Sequence, residues 1–361
     1  MDRPPVFTDE SFATALEKTR SSPGLLIVDA AAEWCGPCKH MDRTTWRDME
    51  VVSWCKANAT VLQIDVDQET EWAQTHRISA MPTLIAFKNG AEVDRIVGGK
   101  QPRALLDWLE GLLKGETSID ALRRSVSENG ADAEKRFELA RALHASGDLD
   151  EATREFAWLW EHVTDANPEM AGVRISFMAY EMEALAAKSE PARSRFREIR
   201  DRNVIGTDST GQARLDWIVL NEVLGETDDT LGWFDRFAAT RPAKFDLPEL
   251  AHRLIPLLLS RDRWADASRL IDDAVGEVTR YRDYFISDTL PPDFDEELAK
   301  QIKEMGRDSF REKVAQIRQM LIAGNRSDEA AAVEQKALGL DSSDEMKQWL
   351  AKPRDQLLAR S

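Results

Sequence analysis

Apolar positions in the first 114 residues follow both helical and strand periods, and the alternation between them predicts an α/β fold. Leu25–Ala31 is a continuous apolar run broken only by Asp29, which is typical of a strand buried on both faces. The dipeptide Asn89-Gly90 indicates a hairpin turn. The predicted helices are residues 8–19 (with Thr8 as N-cap), 40–58, 69–75 and 101–113, and the predicted strands are residues 25–31, 61–66, 83–87 and 92–97.

Beyond a polar break at residues 115–118, the apolar pattern has only the helical period. The clearest segment spans residues 133–163, where Gly147-Asp148 supplies a turn between two predicted helices. The small residues Ala140 and Ala152 would let these two antiparallel helices touch, and the segment resembles one tetratricopeptide repeat. This part of the chain is therefore predicted to be an all-α, helical-repeat domain.

Weaker echoes of the repeat occur at residues 255–274 and 320–338, with another turn between helices at Gly225. Residues 281–294, which include Pro291-Pro292, interrupt the pattern and predict a long loop or a cap. The predicted domains are residues 1–114 and residues 115–361.

The charge balance is acidic, because 48 Lys and Arg face 65 Asp and Glu to give a net charge of −17. Nucleic acids and anionic membranes both select basic surfaces, so neither is an expected partner. Three cysteines, two of them in one motif, are typical of a reducing compartment. The first ten residues lack a signal-peptide pattern. We therefore expect a cytoplasmic location, or a periplasmic one if a signal peptide has been removed.

The chemistry of the chain centres on Cys35-Gly36-Pro37-Cys38. A structural zinc site has the same spacing but needs four ligands, and the sequence offers only Cys55 and unpaired histidines nearby. A structural disulfide over so short a loop would gain little from loop closure. A reversible redox disulfide is the favoured interpretation, with Cys35 at a helix N-terminus where a thiolate is stabilised.

The landmarks around this motif closely resemble the thioredoxin family. They cover about the first 114 residues and are well separated along the chain. The matching landmarks are Asp29 six residues before Cys35, the active-site segment 32–39, Met81-Pro82-Thr83, the hairpin 87–90, and Gly98 eight residues after Gly90.

The resemblance implies a protein disulfide reductase with catalytic residues Cys35, Cys38, Asp29 and Pro82. Cys35 would attack a substrate disulfide, and Cys38 would resolve the mixed disulfide. Asp29, with a pKa raised by burial, would accept the Cys38 proton; it could instead be a satisfied polar residue at a strand end. Pro82 would be cis, or else an ordinary turn proline. The expected substrate-binding residues are Trp34, Gly36, Pro37, Met81, Thr83, Val97 and Gly98.

Two positions depart from the thioredoxin pattern. Ala31 replaces a usual tryptophan, and Gln63 replaces the usual lysine partner of the buried aspartate, so proton handling is expected to differ. Residues 41–52 also resemble thioredoxin-like domains of transmembrane and periplasmic thiol reductases. Cys55 is interpreted as a buried inert thiol, with a secondary regulatory disulfide as the alternative.

A thioredoxin domain followed by tetratricopeptide-like helices resembles the chaperedoxin family. We expect a thiol-disulfide oxidoreductase whose helical domain binds protein substrates or unfolded clients. The alternatives are a chaperone or scaffold with auxiliary redox activity, and a reductase dedicated to one partner. The expected reductant is a thioredoxin reductase-like protein or glutathione. No metal and no cofactor beyond the Cys35–Cys38 redox pair is expected.

Overall fold

A computed structural model describes residues 3–21, 24–202, 205, 209–240, 248–286 and 296–357. The chain divides into two compact units, Met1–Pro168 and Glu169–Ser361. The strands of the first unit are β1 Leu25–Ala31, β2 Ala59–Asp65, β3 Thr83–Lys88 and β4 Ala91–Val97. Its helices are α1 Phe12–Ser21, α2 Gly36–Arg43, α3 Met49–Asn58, α4 Thr70–Thr75, α5 Pro102–Lys114, α6 Ser118–Glu128, α7 Ala133–Ser146 and α8 Leu149–Ala166.

The four strands form one mixed sheet in the order β2-β1-β3-β4. Strand β1 runs parallel to β2 and antiparallel to β3, and β3 pairs antiparallel with β4. All seven residues of β1 are buried. Leu25 and Ile27 pack into one core cluster and Leu26 and Val28 into another. The prediction of an α/β fold with a central strand covered on both faces is therefore confirmed.

Two predicted helices differ from the observed ones, and the second of them begins at Gly36 rather than at residue 40. The first helix begins at Phe12, and Ser11 rather than Thr8 accepts the N–H of Thr14 through its hydroxyl. The helix predicted over residues 40–58 is divided into α2, a 3₁₀ turn at Thr45–Arg47, and α3. The division occurs because the Asp48 carboxylate accepts the backbone N–H groups of Glu50 and Val51, which starts a new helix.

The helices that follow residue 114 begin on the sheet itself. Asp94 in β4 accepts the indole N–H of Trp108 at 2.8 Å and the backbone N–H of Ser118 at 2.6 Å. The Ser118 hydroxyl donates to the same carboxylate at 2.8 Å. One carboxylate thus joins β4, α5 and the start of α6. The contact attaches the start of α6 to the sheet, and the first compact unit continues to Pro168 although its strands end at Val97.

Asp94→Ala should lower the free energy of unfolding of the first unit by about 2–3 kcal/mol, because Trp108 and Ser118 lose a charged acceptor. Urea unfolding of the full chain, followed by deuterium uptake in α5 and α6, measures this effect. Asp107→Ala is the matched control, since Asp107 is an exposed carboxylate on α5. Equal stability of the two variants would contradict the anchoring role of Asp94.

The described part of the second unit is entirely helical, which confirms an all-α C-terminal region. Its segments are α9 Ala171–Val173, a π-helical turn Arg174–Met178, α10 Ala179–Lys188, α11 Glu190–Arg202, α12 Gly211–Leu224, α13 Thr227–Ala239, α14 Pro248–Ser260, α15 Trp264–Ser268, α16 Ala274–Phe285, α17 Glu296–Ala323, α18 Ser327–Leu340, α19 Asp344–Ala351 and α20 Arg354–Leu357. Across the described ranges, no helix has the length and apolar character needed to cross a membrane.

Helical hairpins occur at the two predicted turns, Gly147 and Gly225. In the first unit, α7 and α8 are joined at Gly147, which has a φ of 92°, and Ala140 and Ala152 are both fully buried. In the second unit, Gly225 ends α12 in the left-handed region before α13 begins. Of the long loop or cap predicted over residues 281–294, the loop is wrong for residues 281–285, because these residues complete α16. Pro291-Pro292 lies outside the described residues.

Candidate active site

The two motif cysteines are joined in a disulfide at the start of α2, with their Cα atoms 5.3 Å apart. Cys35 is the N-cap of this helix, and its sulfur accepts the backbone N–H of Cys38 at 3.2 Å. Pro37 fits in the first turn because the N–H that it lacks would have no helical partner there. When the disulfide is reduced, the Cys35 thiolate would face the positive end of the helix dipole.

An apolar cluster surrounds the disulfide, and both cysteines are buried, Cys35 at 4% and Cys38 at 2% exposure. The cluster consists of the two cysteines with Ala31 and Ala32, and Val66 and Met81 pack against it. Next to it, Trp34 is 66% exposed, and its indole N–H donates to Asp67 at 2.7 Å. The indole is therefore held at the surface beside Cys35.

The other side of the site is built from the loop before β3 and the end of β4. The Met81–Pro82 peptide bond is cis. Gly98, at a φ of 86°, donates its N–H to the Pro82 carbonyl at 2.8 Å. Val97 is exposed. These contacts place Pro82 and Gly98 together.

Thr83 lies in the site but cannot present its side chain to a substrate. It is buried, and its hydroxyl donates to the Ala80 carbonyl at 2.7 Å. Its backbone pairs with Ala30 and Val97 in the sheet. Thr83 therefore fixes the segment that carries Met81 and Pro82, whereas Trp34, Pro37 and Val97 are exposed at the surface.

Asp29 is a buried carboxyl in the middle of the sheet, 1% exposed. Burial raises its pKa to about 7, with a smaller upward effect from the negative charge of Asp42. Donated hydrogen bonds from Gln63 and Trp46, at 3.2 Å and 3.0 Å, act in the opposite direction. A carboxyl with a pKa near 7 can accept or release a proton at neutral pH.

Three residues that contact this site were not predicted from the sequence. Asp42 follows Cys38 by one helical turn, a spacing that could have placed both on one face of α2. The sequence pattern places Trp46 within one continuous helix, whereas its indole contact with Asp29 depends on the break after Arg43. The Asp67 contact with Trp34 connects residues 33 positions apart and has no local signal.

Cys55 is remote from this chemistry. It is a free thiol, 1% exposed within the core cluster of the sheet, and burial raises its pKa to about 12. A thiol in this state is a poor nucleophile, as expected for the inert residue. Among the described residues, no group of three or more His, Cys, Asp or Glu side chains could hold a metal ion.

Comparison with known proteins agrees with this geometry. The thioredoxin family model matches residues 4–111. Thioredoxin from Chlamydia trachomatis is 36% identical over 101 residues, which are 28% of this chain and 90% of that protein. Thioredoxin from Mycobacterium tuberculosis is 41% identical over 106 residues, 29% of this chain and 86% of that protein.

Among solved structures, a thioredoxin from Nicotiana alata is 30% identical, with a TM-score of 0.24, and the match covers 28% of this chain and 86% of that one. The two sequence relatives are matched over nearly their whole lengths, and the range matched by the family model contains the sheet and the disulfide described above. On these matches, the chain belongs to the thioredoxin family.

Proposed function

We propose that this thiol-disulfide oxidoreductase works as a protein disulfide reductase, and that its helical part selects the protein substrates. The observation that carries the redox function is the Cys35–Cys38 disulfide at the N-terminus of α2, beside an exposed apolar surface. Reduction of insulin by the full chain, with dithiothreitol as electron donor, tests this function. Turnover no faster than with dithiothreitol alone would contradict it.

The reaction has two exchanges. In the first, the Cys35 thiolate attacks one sulfur of the substrate disulfide; a Cys35–substrate bond forms, and the other substrate sulfur leaves as a thiolate. In the second, Cys38 gives its proton to Asp29, and its sulfur attacks Cys35. The Cys35–Cys38 bond forms, and the second substrate sulfur leaves as a thiolate that takes a proton from water. The substrate gains two electrons and the cysteine pair loses them.

The surface around the disulfide favours flexible protein segments as substrates. Trp34 and Val97 offer exposed apolar area, and the backbone at Met81 lies beside the cysteine cluster. We propose that the oxidised pair is recycled by a thioredoxin reductase-like protein or by glutathione, without a bound cofactor. Such recycling fits the cytoplasm, the location that the cysteine usage favours.

A second function, holding unfolded clients, is favoured by an aromatic pair on the second unit. Phe177 and Tyr180 are 71% and 70% exposed and stand three positions apart where the π-helical turn meets α10. Large exposed aromatic side chains commonly mark protein-binding surfaces. We propose that this pair contacts apolar segments of client proteins.

Phe177→Ser/Tyr180→Ser should weaken the suppression of citrate synthase aggregation by the full chain at least about twofold, because the apolar contact area is removed. Insulin reduction should be unchanged. Met49→Ser is the matched control, since Met49 is an 86% exposed apolar residue on α3. Equal suppression by the wild type and the double variant, or no suppression by the wild type, would exclude a holding role for this pair.

A further inference from the structure

The amide of Gln63 connects two carboxylates, one on the central strand β1 and one on α2, the helix that carries the redox disulfide. Gln63 lies on β2 in register with Asp29 of β1. Its Nε2 lies 3.2 Å from Oδ2 of Asp29 and 2.9 Å from Oδ1 of Asp42, which is on α2. Both neighbours are carboxylate oxygens, which accept hydrogen bonds, so the Gln63 amide must direct its NH₂ group and not its oxygen toward them. Asp42 therefore holds the amide that donates to Asp29.

The two oxygens of Asp29 have different surroundings. Oδ2 accepts from the Gln63 amide and, at 3.0 Å, from the Trp46 indole. Oδ1 is buried and has no hydrogen-bond partner among the described groups. A neutral carboxyl carries its proton on one oxygen, and an oxygen that already accepts two hydrogen bonds is the less suitable one. The proton of neutral Asp29 therefore belongs on Oδ1.

We propose that Gln63 and Asp42 are positioning residues for Asp29: the amide, held by Asp42, occupies Oδ2 and leaves Oδ1 to take the Cys38 proton. The proton transfer rests on the proposed function, whereas the control of Asp29 by its two neighbours does not. Asp42 also places a negative charge near Asp29, which opposes its ionisation, while the Gln63 hydrogen bond favours it. The two residues thus act on Asp29 in opposite directions.

Other charged groups surround this face of the sheet. Strand β1 carries no charge besides Asp29. The charged or titratable side chains on the packed elements, besides the cysteine pair and Asp42, are Lys39, His40 and Arg43 on α2, Arg47 and Asp48 in the turn, Glu50 and Lys56 on α3, Asp65 on β2, Lys88 on β3, and Arg103, Asp107, Glu110 and Lys114 on α5. All of these are exposed or half-buried, the remaining titratable group is the buried thiol of Cys55 on α3, and Asp42 is the group whose charge acts on Asp29.

The test is a pH titration of the Asp29 carboxyl carbon by NMR in the oxidised full chain. Asp42→Asn keeps an acceptor for the amide but removes the charge, so the midpoint should fall by about half a pH unit or more. Gln63→Met removes the donor at similar volume, so the midpoint should rise by a similar amount. Glu50→Gln, which removes an exposed carboxylate on α3, should leave the midpoint unchanged.

An unchanged or raised midpoint in Asp42→Asn would overturn the proposal, even if Gln63→Met did not fold. Midpoint shifts in the same direction in both variants would overturn it too, because they would indicate a general disturbance of the site rather than two opposing effects on Asp29. The pH profile of insulin reduction should move with the midpoint in each variant. If the midpoints shift with the expected signs but the chain does not reduce insulin, the positioning roles of Gln63 and Asp42 stand and the proposed catalytic function is rejected.

Discussion

Cys35→Ser should reduce the rate of insulin reduction by at least about 10³-fold, to the level of dithiothreitol alone. A serine hydroxyl at the N-terminus of α2 cannot form the mixed disulfide on which both exchanges depend. Turbidity of the released insulin chains, followed at several protein concentrations, measures the effect. Residual turnover that rises with the concentration of the variant would contradict the role of Cys35.

Two further variants separate this effect from general damage. Cys38→Ser should accumulate the Cys35–substrate mixed disulfide, visible as one covalent adduct per chain by mass spectrometry, because no internal thiol can resolve it. Cys55→Ala removes a thiol that is buried in the core and should keep the wild-type rate. A rate loss in Cys55→Ala as large as in Cys35→Ser would show that the assay reports folding rather than chemistry.

Asp29→Asn should stabilise the first compact unit by about 4 kcal/mol at pH 8.5 and hardly at all below pH 4. Below the unfolded pKa of 3.8, Asp29 is neutral in both states. Between pH 3.8 and its folded pKa of about 7, the unfolded chain ionises while the buried carboxyl stays protonated, so the wild type loses stability as the pH rises. Above pH 7 Asp29 is ionised in both states, and the wild type retains the full free-energy cost of burying that charge.

The measurement is a urea titration of the oxidised full chain at both pH values, in which deuterium uptake by β1 peptides reports unfolding of the first unit. Asp107→Asn, an exposed carboxylate on α5, should show no pH-dependent difference from the wild type. A gain in Asp29→Asn that is the same at pH 4 and pH 8.5 would contradict the assignment of the effect to ionisation.

The sheet and the cysteine site could be predicted because their signals are local. Leu25–Ala31 is apolar at every position except Asp29, and such a run is typical of a strand covered on both faces. The lone carboxyl in that run already indicated a raised pKa. Cys35 and Cys38 lie one helical turn apart at a predicted helix start, so their pairing needed no tertiary information.

Features that depend on distant contacts were not predictable in this way. Apolar residues keep the helical period across α2 and α3, so the break created by the Asp48 cap was hidden. The contact between Ser118 and Asp94 joins positions 24 residues apart, and no local pattern indicates it. The contact between Gln63 and Asp42 likewise exists only once β2 and α2 are packed together.

The Asp94 carboxylate also determines how this protein can be shortened. A fragment that ends at Lys114 would retain every described strand and both active-site cysteines, yet it would remove both donors supplied by Ser118. Of these three donors to the Asp94 carboxylate, the Trp108 indole alone would then remain. A redox fragment for biophysical work should therefore include Ser118 and is better ended at Pro168, where the compact unit itself ends.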